Sequence, residues 1–284
     1  MSAPLTRFER LLKRLALQPA ALGEQSAEHS IFVGGAGEGG VGAQARLFGG
    51  LVAAQATMAA QLSETEFPLH SLHAYFLQPG RPEQDIEYHC LASKQGRNFA
   101  VRRVEAWQNG ALIFQLQASF HRPEAGVHHQ QPMPGAPPPE SLPNRDDLRG
   151  RSYWRDMPID VRMASPITGD QPQTATQQIW LRANGEMPDN AQMHLAMLVY
   201  ASDRSLLDTA WRPHADRGQL IGASLDHSMW FHQPVTFDDW LLYALESPVA
   251  SAGRGLAFGA IYNTAGQRVA TVAQEGLLRF RSNS

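Results

Sequence analysis

A proline-rich stretch near the middle of the 284-residue chain divides it into two parts with related patterns. Residues 122–150 hold seven of the 19 prolines and have almost no apolar periodicity, which is typical of an interdomain connector. We therefore predict an N-terminal domain over residues 1–121 and a C-terminal domain over residues 151–284. The central position of the linker indicates an internal duplication, because two similar halves would explain the length directly.

Each part contains the pattern of a β-hairpin. Strand-like runs flank the turn Asn109-Gly110 in the first part and the turn Ala265-Gly266 in the second. Aligning the two turn glycines sets Ala118 against Gln274. The two parts therefore share a hairpin but differ at a position where the second part carries a side-chain amide.

Each part also contains an apolar stretch of helical period, followed by a strand. The helical stretches are residues 48–60 and 194–203, and the strands that follow are residues 73–79 and 227–234, both of which begin with histidine. Antiparallel strands against one long helix make an α+β layout rather than alternating βαβ units. A further amphipathic helix is predicted over residues 5–17.

Composition excludes several classes of protein. The net charge is only −3 and the basic residues are scattered, which argues against a nucleic-acid partner. The single cysteine, Cys90, excludes a disulfide framework and a multi-thiolate metal site within one chain. No apolar run reaches the length of a membrane span and no signal peptide is found, so we expect a cytoplasmic protein that does not enter a membrane.

Three short motifs point to other chemistries but lack the context that those chemistries need. Residues 35–40 satisfy the dinucleotide pattern G-x-G-x-x-G, yet a hairpin meander follows where a second βαβ strand is required. Residues 222–226 come close to a nucleophile elbow but lead into a strand and end in Asp226. The histidine pairs lack metal-ligand spacing with a nearby carboxylate, so we expect no metal and no cofactor.

Two polar residues lie on faces that should be buried. Asp203 continues the apolar helical run 194–203, and Gln274 shares strand parity with Val272 and Leu278. A buried polar group without a partner costs about 1–3 kcal/mol, so each needs a hydrogen bond. The pattern by itself fits a structural role as well as a catalytic one.

Several segments together resemble the acyl-CoA thioesterase II family, whose members are double hotdog proteins. The most specific is Asp-His-Ser-Met-Trp-Phe-His-Gln-Pro at residues 226–234, and the resemblance extends from about residue 5 to residue 281. The other segments are Phe-Gly-Gly at 48–50, His-Ala-Tyr-Phe-Leu-Gln-Pro-Gly at 73–80, Tyr-Ala-Ser-Asp at 200–203 and Gln-Glu-Gly at 274–276. The resemblance implies two antiparallel sheets, each wrapped around a long central helix.

The resemblance also implies an activity, namely hydrolysis of fatty acyl-CoA to a free fatty acid and coenzyme A by an activated water. The family's water-holding Asp, Thr or Ser, and Gln fall on Asp203, Ser224 and Gln274. A carboxylate can take a proton from water, and a hydroxyl and an amide can orient that water. Substrate binding is expected at Gly49, Gly50 and His73, since the glycines begin a helix whose N–H groups suit a developing oxyanion. A homodimer or homotetramer is expected.

The duplication suggests one composite site per chain, with oxyanion donors from the first half and water-activating residues from the second. Aligning the predicted helix starts, Phe48 and His194, sets Asp203 against Thr57, so the first half is expected to lack the acid. Two alternatives stay open: a non-catalytic acyl-CoA or lipid-binding protein of the same fold, and a hydratase, although the Asp and His motif of hotdog hydratases is not found. Arg102, Arg103 and Arg254 are candidate CoA contacts, with surface solvation as the simpler interpretation.

Overall fold

The computed structural model describes residues 4–20, 26, 28–37, 46–145, 157–165, 171–214 and 220–280. Residues 38–40 of the glycine pattern and residues 146–150 of the predicted linker lie outside the described residues. Between residue 122 and residue 144 the chain contains one short 3-10 helix, Pro139–Ser141, and one isolated bridge from Asn144 to Arg162. Within the described ranges no helix is both long and apolar enough to cross a lipid bilayer.

The described residues of the first half form two helices and six strands. The helices are α1 (Arg7–Leu15) and α2 (Gly49–Ser63). The strands are β1 (Gln18–Pro19), β2 (His29–Gly34), β3 (Leu69–Phe76), β4 (Ile86–Gln95), β5 (Phe99–Gln108) and β6 (Ala111–His121).

The second half contains two helices and seven strands among its described residues. The helices are α3 (Ala191–Ser202) and α4 (Leu206–Trp211). The strands are β7 (Ile159–Met163), β8 (Thr176–Ala183), β9 (Leu220–Ser224), β10 (Asp226–Phe231), β11 (Leu241–Ser251), β12 (Arg254–Tyr262) and β13 (Arg268–Phe280).

All thirteen strands belong to one antiparallel sheet. Twelve follow the order β1-β2-β4-β5-β6-β3-β10-β13-β12-β11-β8-β7, and β9 pairs with β13 beside that path. The sequence predicts two sheets, but the pairing of β3 with β10 joins the strands of both halves by continuous hydrogen bonds. This pairing satisfies edge groups that each half would otherwise expose.

The two long helices cross the inner side of this arrangement and pack against each other. Helix α2 is buried almost all round and packs on β2 to β6, as its run of alanines and aliphatic residues allows. Helix α3 is antiparallel to it, because Gln192 at its start bonds the end of α2 at Gln61, while Gly50 lies against Tyr200. Thus the start of α2 and the end of α3 come together, and this junction positions the candidate site.

Helix α1 confirms the predicted amphipathic pattern. Thr6 caps it in a capping box with Glu9, and Phe8, Leu11 and Leu15 bury one face against the core. It packs against both α2 and α3. Burial of such a face contributes roughly 25 cal/mol per Å2 of apolar surface removed from water.

Candidate functional site

Asp203 is the residue at which α3 ends. The helix is capped at its start by the Asn190 side chain and closes with the buried Ser202, so that Asp203 is the C-terminal cap. Its carboxylate is only partly buried, whereas the preceding residues of α3 are packed in the core. The end of the helix therefore delivers a carboxylate to a place where solvent and core meet.

Ser224 and Gln274 come from two paired strands and meet this carboxylate. Ser224 ends β9 and lies opposite Gly276 of β13, which points to the same face as Gln274. The Ser224 hydroxyl donates to Asp203 Oδ1 at 3.3 Å, and Gln274 Nε2 donates to the same oxygen at 2.9 Å. Gln274 Nε2 also bonds the Ser224 hydroxyl. The three predicted residues are thus one hydrogen-bonded cluster, with the fully buried amide beneath the other two side chains.

The first half reaches this cluster with the start of α2. A Cβ added to Gly49 would lie 3.2 Å from Asp203 Oδ2 and 2.8 Å from the Phe76 ring, and one added to Gly50 would lie 2.7 Å from the Tyr200 carbonyl oxygen. Only glycine allows this approach without displacement of a neighbour. Among the residues that the structure describes, no side chain caps the helix start at Phe48. The first N–H groups of a helix have no partner within it, so these donors lie beside the Asp203 carboxylate.

Two buried side chains next to the cluster, His227 and Tyr243, have shifted pKa values. Burial lowers the pKa of His227, against the opposing effects of Asp203, a hydrogen bond with Gln274, and Asp226. Burial also raises the pKa of Tyr243 well above its usual range, and the negative charge of Asp203 adds to that shift. Both groups are therefore neutral near pH 7.

The other predicted residues do not all join this cluster. His73 lies on the outer face of β3, where its imidazole contacts the Ser228 hydroxyl at 3.1 Å and the Trp230 ring. Its predicted role in substrate binding therefore stays a prediction that this cluster does not support.

The arginines considered as CoA contacts are engaged within the chain. Arg102 is buried and pairs with Glu64 at 2.6 Å, so its interpretation as a surface group is wrong. Arg103 pairs with Glu105 and Arg254 with Glu275, both near the surface.

The predicted alignment of Asp203 with Thr57 is wrong. Helix α3 begins at Ala191, three residues before the predicted start, and Thr57 is an interior residue of α2 that donates to the Ala53 carbonyl. Both long helices end in an acid as C-terminal cap, Glu64 in α2 and Asp203 in α3. The first half thus keeps an acid at the corresponding place, but Arg102 neutralises it.

The apparent match between His73 and His227 also fails in the structure. His73 pairs with Ser228 across the β3–β10 seam and is exposed, whereas His227 pairs with Ala74 and is fully buried. His227 corresponds instead to Leu72, and His73 to Ser228, because Leu72 lies across from Ala118 as His227 lies across from Gln274. Adjacent strand residues point to opposite faces, so a match that is wrong by one residue confuses an outward with an inward position. His227 and its partner Ser202 were missed by the sequence reasoning, although both lie within the segments that carry the family resemblance.

Comparison with known proteins assigns both halves to acyl-CoA thioesterase families. A family described as acyl-CoA thioesterase N-terminal domain matches residues 38–121, and one described as acyl-CoA thioesterase matches residues 153–277. Acyl-coenzyme A thioesterase 8 from Rattus norvegicus is 38% identical over 257 residues, covering 82% of this chain and 80% of the relative. Acyl-CoA thioesterase 2 from Haemophilus influenzae is 37% identical over 254 residues, covering 83% and 88%.

Solved structures resemble the fold along nearly its whole length. The acyl-CoA thioesterase II of Mycobacterium marinum superposes with a TM-score of 0.80 at 36% identity, covering 96% of this chain and 100% of that one. A protein with a hot dog fold from Alicyclobacillus acidocaldarius gives 0.76 at 18% identity, with 95% and 98% covered, which supports the fold alone. The chain is a hotdog-fold thioester hydrolase and belongs to the acyl-CoA thioesterase II family.

Proposed function

We propose that this protein hydrolyses fatty acyl-CoA through a water molecule held by Asp203, Ser224 and Gln274. The observation that carries the proposal is the convergence of these three side chains at the end of α3, where Asp203 Oδ1 accepts from both partners. The partial exposure of Asp203 and Ser224 leaves room for a water on the solvent side. A shared acceptor oxygen fixes the rotamer of the carboxylate, which favours a single geometry for the bound water.

In the proposed reaction, Asp203 takes one proton as the water oxygen attacks the thioester carbonyl carbon. The new C–O bond forms a tetrahedral intermediate, and the C–S bond then breaks. The proton returns to the coenzyme A sulfur, which leaves a free acid and a thiol. Ser224 and Gln274 keep the water and carboxylate aligned, and no covalent intermediate on the protein is needed.

The start of α2 is the proposed oxyanion site. Gly49 lies against Asp203, and the first N–H groups of α2 are donors at the positive end of a helix dipole. A carbonyl oxygen that points to these donors brings its carbon close to a water on Asp203. The site would therefore be composite, with donors from the first half and the water-holding residues from the second.

We further propose that residues 1–121 and 151–284 are two hotdog units that together form a double hotdog. The strand order supports this division, since β1 to β6 and β7 to β13 each form one continuous part of the sheet and meet at β3 and β10. Family membership favours the hydrolase over the non-catalytic lipid-binding alternative. The homodimer or homotetramer stays a prediction of the resemblance, and the cytoplasmic location stays a prediction of the sequence pattern.

The substitution Asp203→Asn tests the proposed chemistry. It keeps the size of the side chain but removes the proton acceptor, so we expect kcat to fall by about 10²- to 10⁴-fold, the usual contribution of acid–base catalysis. Release of free coenzyme A from acyl-CoAs of several chain lengths measures this directly. Turnover close to that of the wild type would contradict the assignment.

Asp238→Asn is a matched control. Asp238 is likewise a hydrogen-bonded aspartate of the second half, but its partner is the backbone N–H of Met187 and not a member of the cluster. We expect wild-type kcat for this variant. Equal losses in both variants would show that the effect of Asp203→Asn reflects folding rather than chemistry.

A further inference from the structure

A fully buried histidine, His227, lies behind the proposed water-holding cluster and has no part in the chemistry proposed above. It is on β10, facing inward between the sheet and the end of α3. Its Nε2 is 2.9 Å from the Ser202 hydroxyl, and Ser202 immediately precedes Asp203. The His227 ring therefore lies between Ser202 and β13, the strand that carries Gln274.

Two buried polar atoms of this region have no partner at full hydrogen-bond geometry among the described residues. They are His227 Nδ1 and Gln274 Oε1, each on a side chain that is completely buried. One is a ring nitrogen that can carry a proton, and the other is an acceptor. Such atoms are rare in folded proteins, because a buried polar group left unpaired costs about 1–3 kcal/mol.

The two atoms lie on neighbouring strands. Ser228 of β10 pairs with Ala273 of β13, so the next step along the register sets His227 across from Gln274. Cross-strand neighbours on one face have Cβ atoms about 4.5–5.5 Å apart, which suits a bond between their side chains. The interaction between the two side chains also raises the histidine pKa in opposition to burial.

The amide has only one orientation that suits Asp203. Its Nε2 must point to the carboxylate, since the reverse orientation would set an amide oxygen against a negative charge. With Nε2 at Asp203 and Ser224, Oε1 points away from the cluster, toward His227. A neutral imidazole protonated at Nδ1 matches this oxygen. Its Nε2 then accepts the Ser202 hydroxyl proton, which can otherwise go to the Val199 carbonyl, also 2.9 Å from that hydroxyl.

We propose that His227 is a positioning residue that fixes the orientation of the Gln274 amide through an Nδ1–H to Oε1 hydrogen bond. The proposal rests on the proposed function of Asp203, Ser224 and Gln274. The resulting chain of hydrogen bonds begins at the Ser202 hydroxyl, passes through His227 and Gln274, and ends on the Asp203 carboxylate. His227 does not touch the substrate and acts on the water only through the amide.

The duplicated half provides a comparison. In the turn alignment, Ala118 corresponds to Gln274, and Ala118 pairs with Leu72 on β3, as Gln274 lies across from His227 on β10. Leucine and alanine therefore occupy in the first half the two positions that histidine and glutamine occupy in the second. Both pairs are buried, so the fold accepts an apolar pair here. The polar pair occurs only where the proposed site is.

The test compares His227→Leu with His227→Asn. Leucine is the residue at the corresponding place in the first half and has no donor, so we expect kcat to fall by roughly 10- to 100-fold with KM changed less than about twofold, because a misoriented amide misplaces the water. Asparagine has an N–H near the position of Nδ1, so we expect its kcat within about fivefold of the wild type.

Wild-type kcat in His227→Leu would overturn the proposal, as would a folded His227→Asn no better than His227→Leu. His232→Leu is the control, since His232 directly follows β10 but bonds Thr271 away from the cluster. In a Gln274→Ala background, His227→Leu should cause no further loss, and an equal further loss would overturn the proposal. Asp203→Asn is assayed in parallel: its inactivity beside a fully active His227→Leu retains the proposed chemistry and rejects only the role of His227.

Discussion

At the scale of single residues, the candidate site is defined by the groups that contact the Asp203 carboxylate. Asp203 is held by an amide and a hydroxyl from two strands, and by a glycine whose missing side chain lets the other half of the chain come close. Together these contacts hold the Asp203 carboxylate in one position at the end of α3, beside solvent.

The titration of His227 provides a prediction about stability. Burial lowers its pKa below the ordinary value of 6.5, so between these two pKa values the unfolded chain binds more protons than the folded one. The free energy of unfolding should therefore be highest above about pH 6.5 and decrease as the pH falls toward the folded pKa. Urea unfolding at several values between pH 7.5 and pH 5 measures this dependence.

His227→Leu should make that dependence shallower. His70 is a partly buried histidine and His232 an exposed one, and the pKa of each is also lowered. Asp226 is a carboxyl with a raised pKa, and these groups set the dependence that remains. An unchanged pH dependence in the folded variant would show that His227 is not the source. His232→Leu replaces a less buried histidine and should therefore reduce the pH dependence of the free energy of unfolding by a smaller amount.

At the scale of elements, the start of α2 is the feature that distinguishes the two long helices. It begins with two glycines and no side-chain cap, whereas α3 begins with the Asn190 cap. A side-chain cap would occupy one of the N–H groups that a ligand oxygen needs. The uncapped start thus fits the proposed oxyanion role.

Gly49→Ala should impair catalysis more than folding. Its Cβ would meet the Phe76 ring at 2.8 Å and Asp203 Oδ2 at 3.2 Å, so the helix start or the carboxylate must shift. Because small misplacements of reacting groups are costly, we expect kcat/KM to fall by roughly 10- to 100-fold. Steady-state kinetics and the thermal midpoint are measured together.

Gly35→Ala is the control for that variant, since nothing lies within 4 Å of its added Cβ. We expect kinetics close to those of the wild type. Unchanged kinetics in Gly49→Ala as well would argue against a role for the start of α2 in the reaction.

At the scale of the whole molecule, the two halves use corresponding helix ends in different ways. Asp203 is partly exposed and bonds an amide, whereas Glu64 is buried and pairs with Arg102, which lies across from Ala118, the counterpart of Gln274. Arg102 also bonds Gln95 and the Lys94 carbonyl. The first half therefore has a satisfied ion pair where the second has the candidate site.

Breaking this ion pair should affect stability and not chemistry. Arg102→Met leaves the Glu64 carboxylate buried without its partner, and removing one member of a buried pair costs about 3–5 kcal/mol. We expect a loss of that size in urea unfolding, with kcat of the folded fraction within about twofold. A loss below 1 kcal/mol would mean that the carboxylate finds another partner.

Arg254→Ala is the matched control, because it breaks the exposed pair with Glu275. Exposed pairs contribute about 0–1 kcal/mol, so we expect little change in unfolding. Comparable losses in Arg102→Met and Arg254→Ala would contradict the structural role of the buried pair.

The predictions from sequence succeeded where a local pattern carries the information. The apolar period predicted α1 and α2, and the turn glycines gave an alignment of Ala118 with Gln274 that the strand register supports. The predictions failed where an error of a few positions changes which residues of the two halves correspond. The start of α3 was placed three residues late and α3 is shorter than α2, which together led to the alignment with Thr57. The shared first histidine of the two strand segments hid the correspondence of His73 with Ser228.

The sequence by itself determined the α+β layout, the related halves and the residue types at the site, because periodicity, turn residues and long specific segments are local properties. Only the tertiary structure decided which side chains meet. Asp203, Ser224 and Gln274 are up to 71 positions apart, and Gly49 belongs to the other half. Their contact depends on strand register and on the antiparallel packing of α2 and α3, and a hydrogen bond between distant residues leaves no periodic trace in the chain.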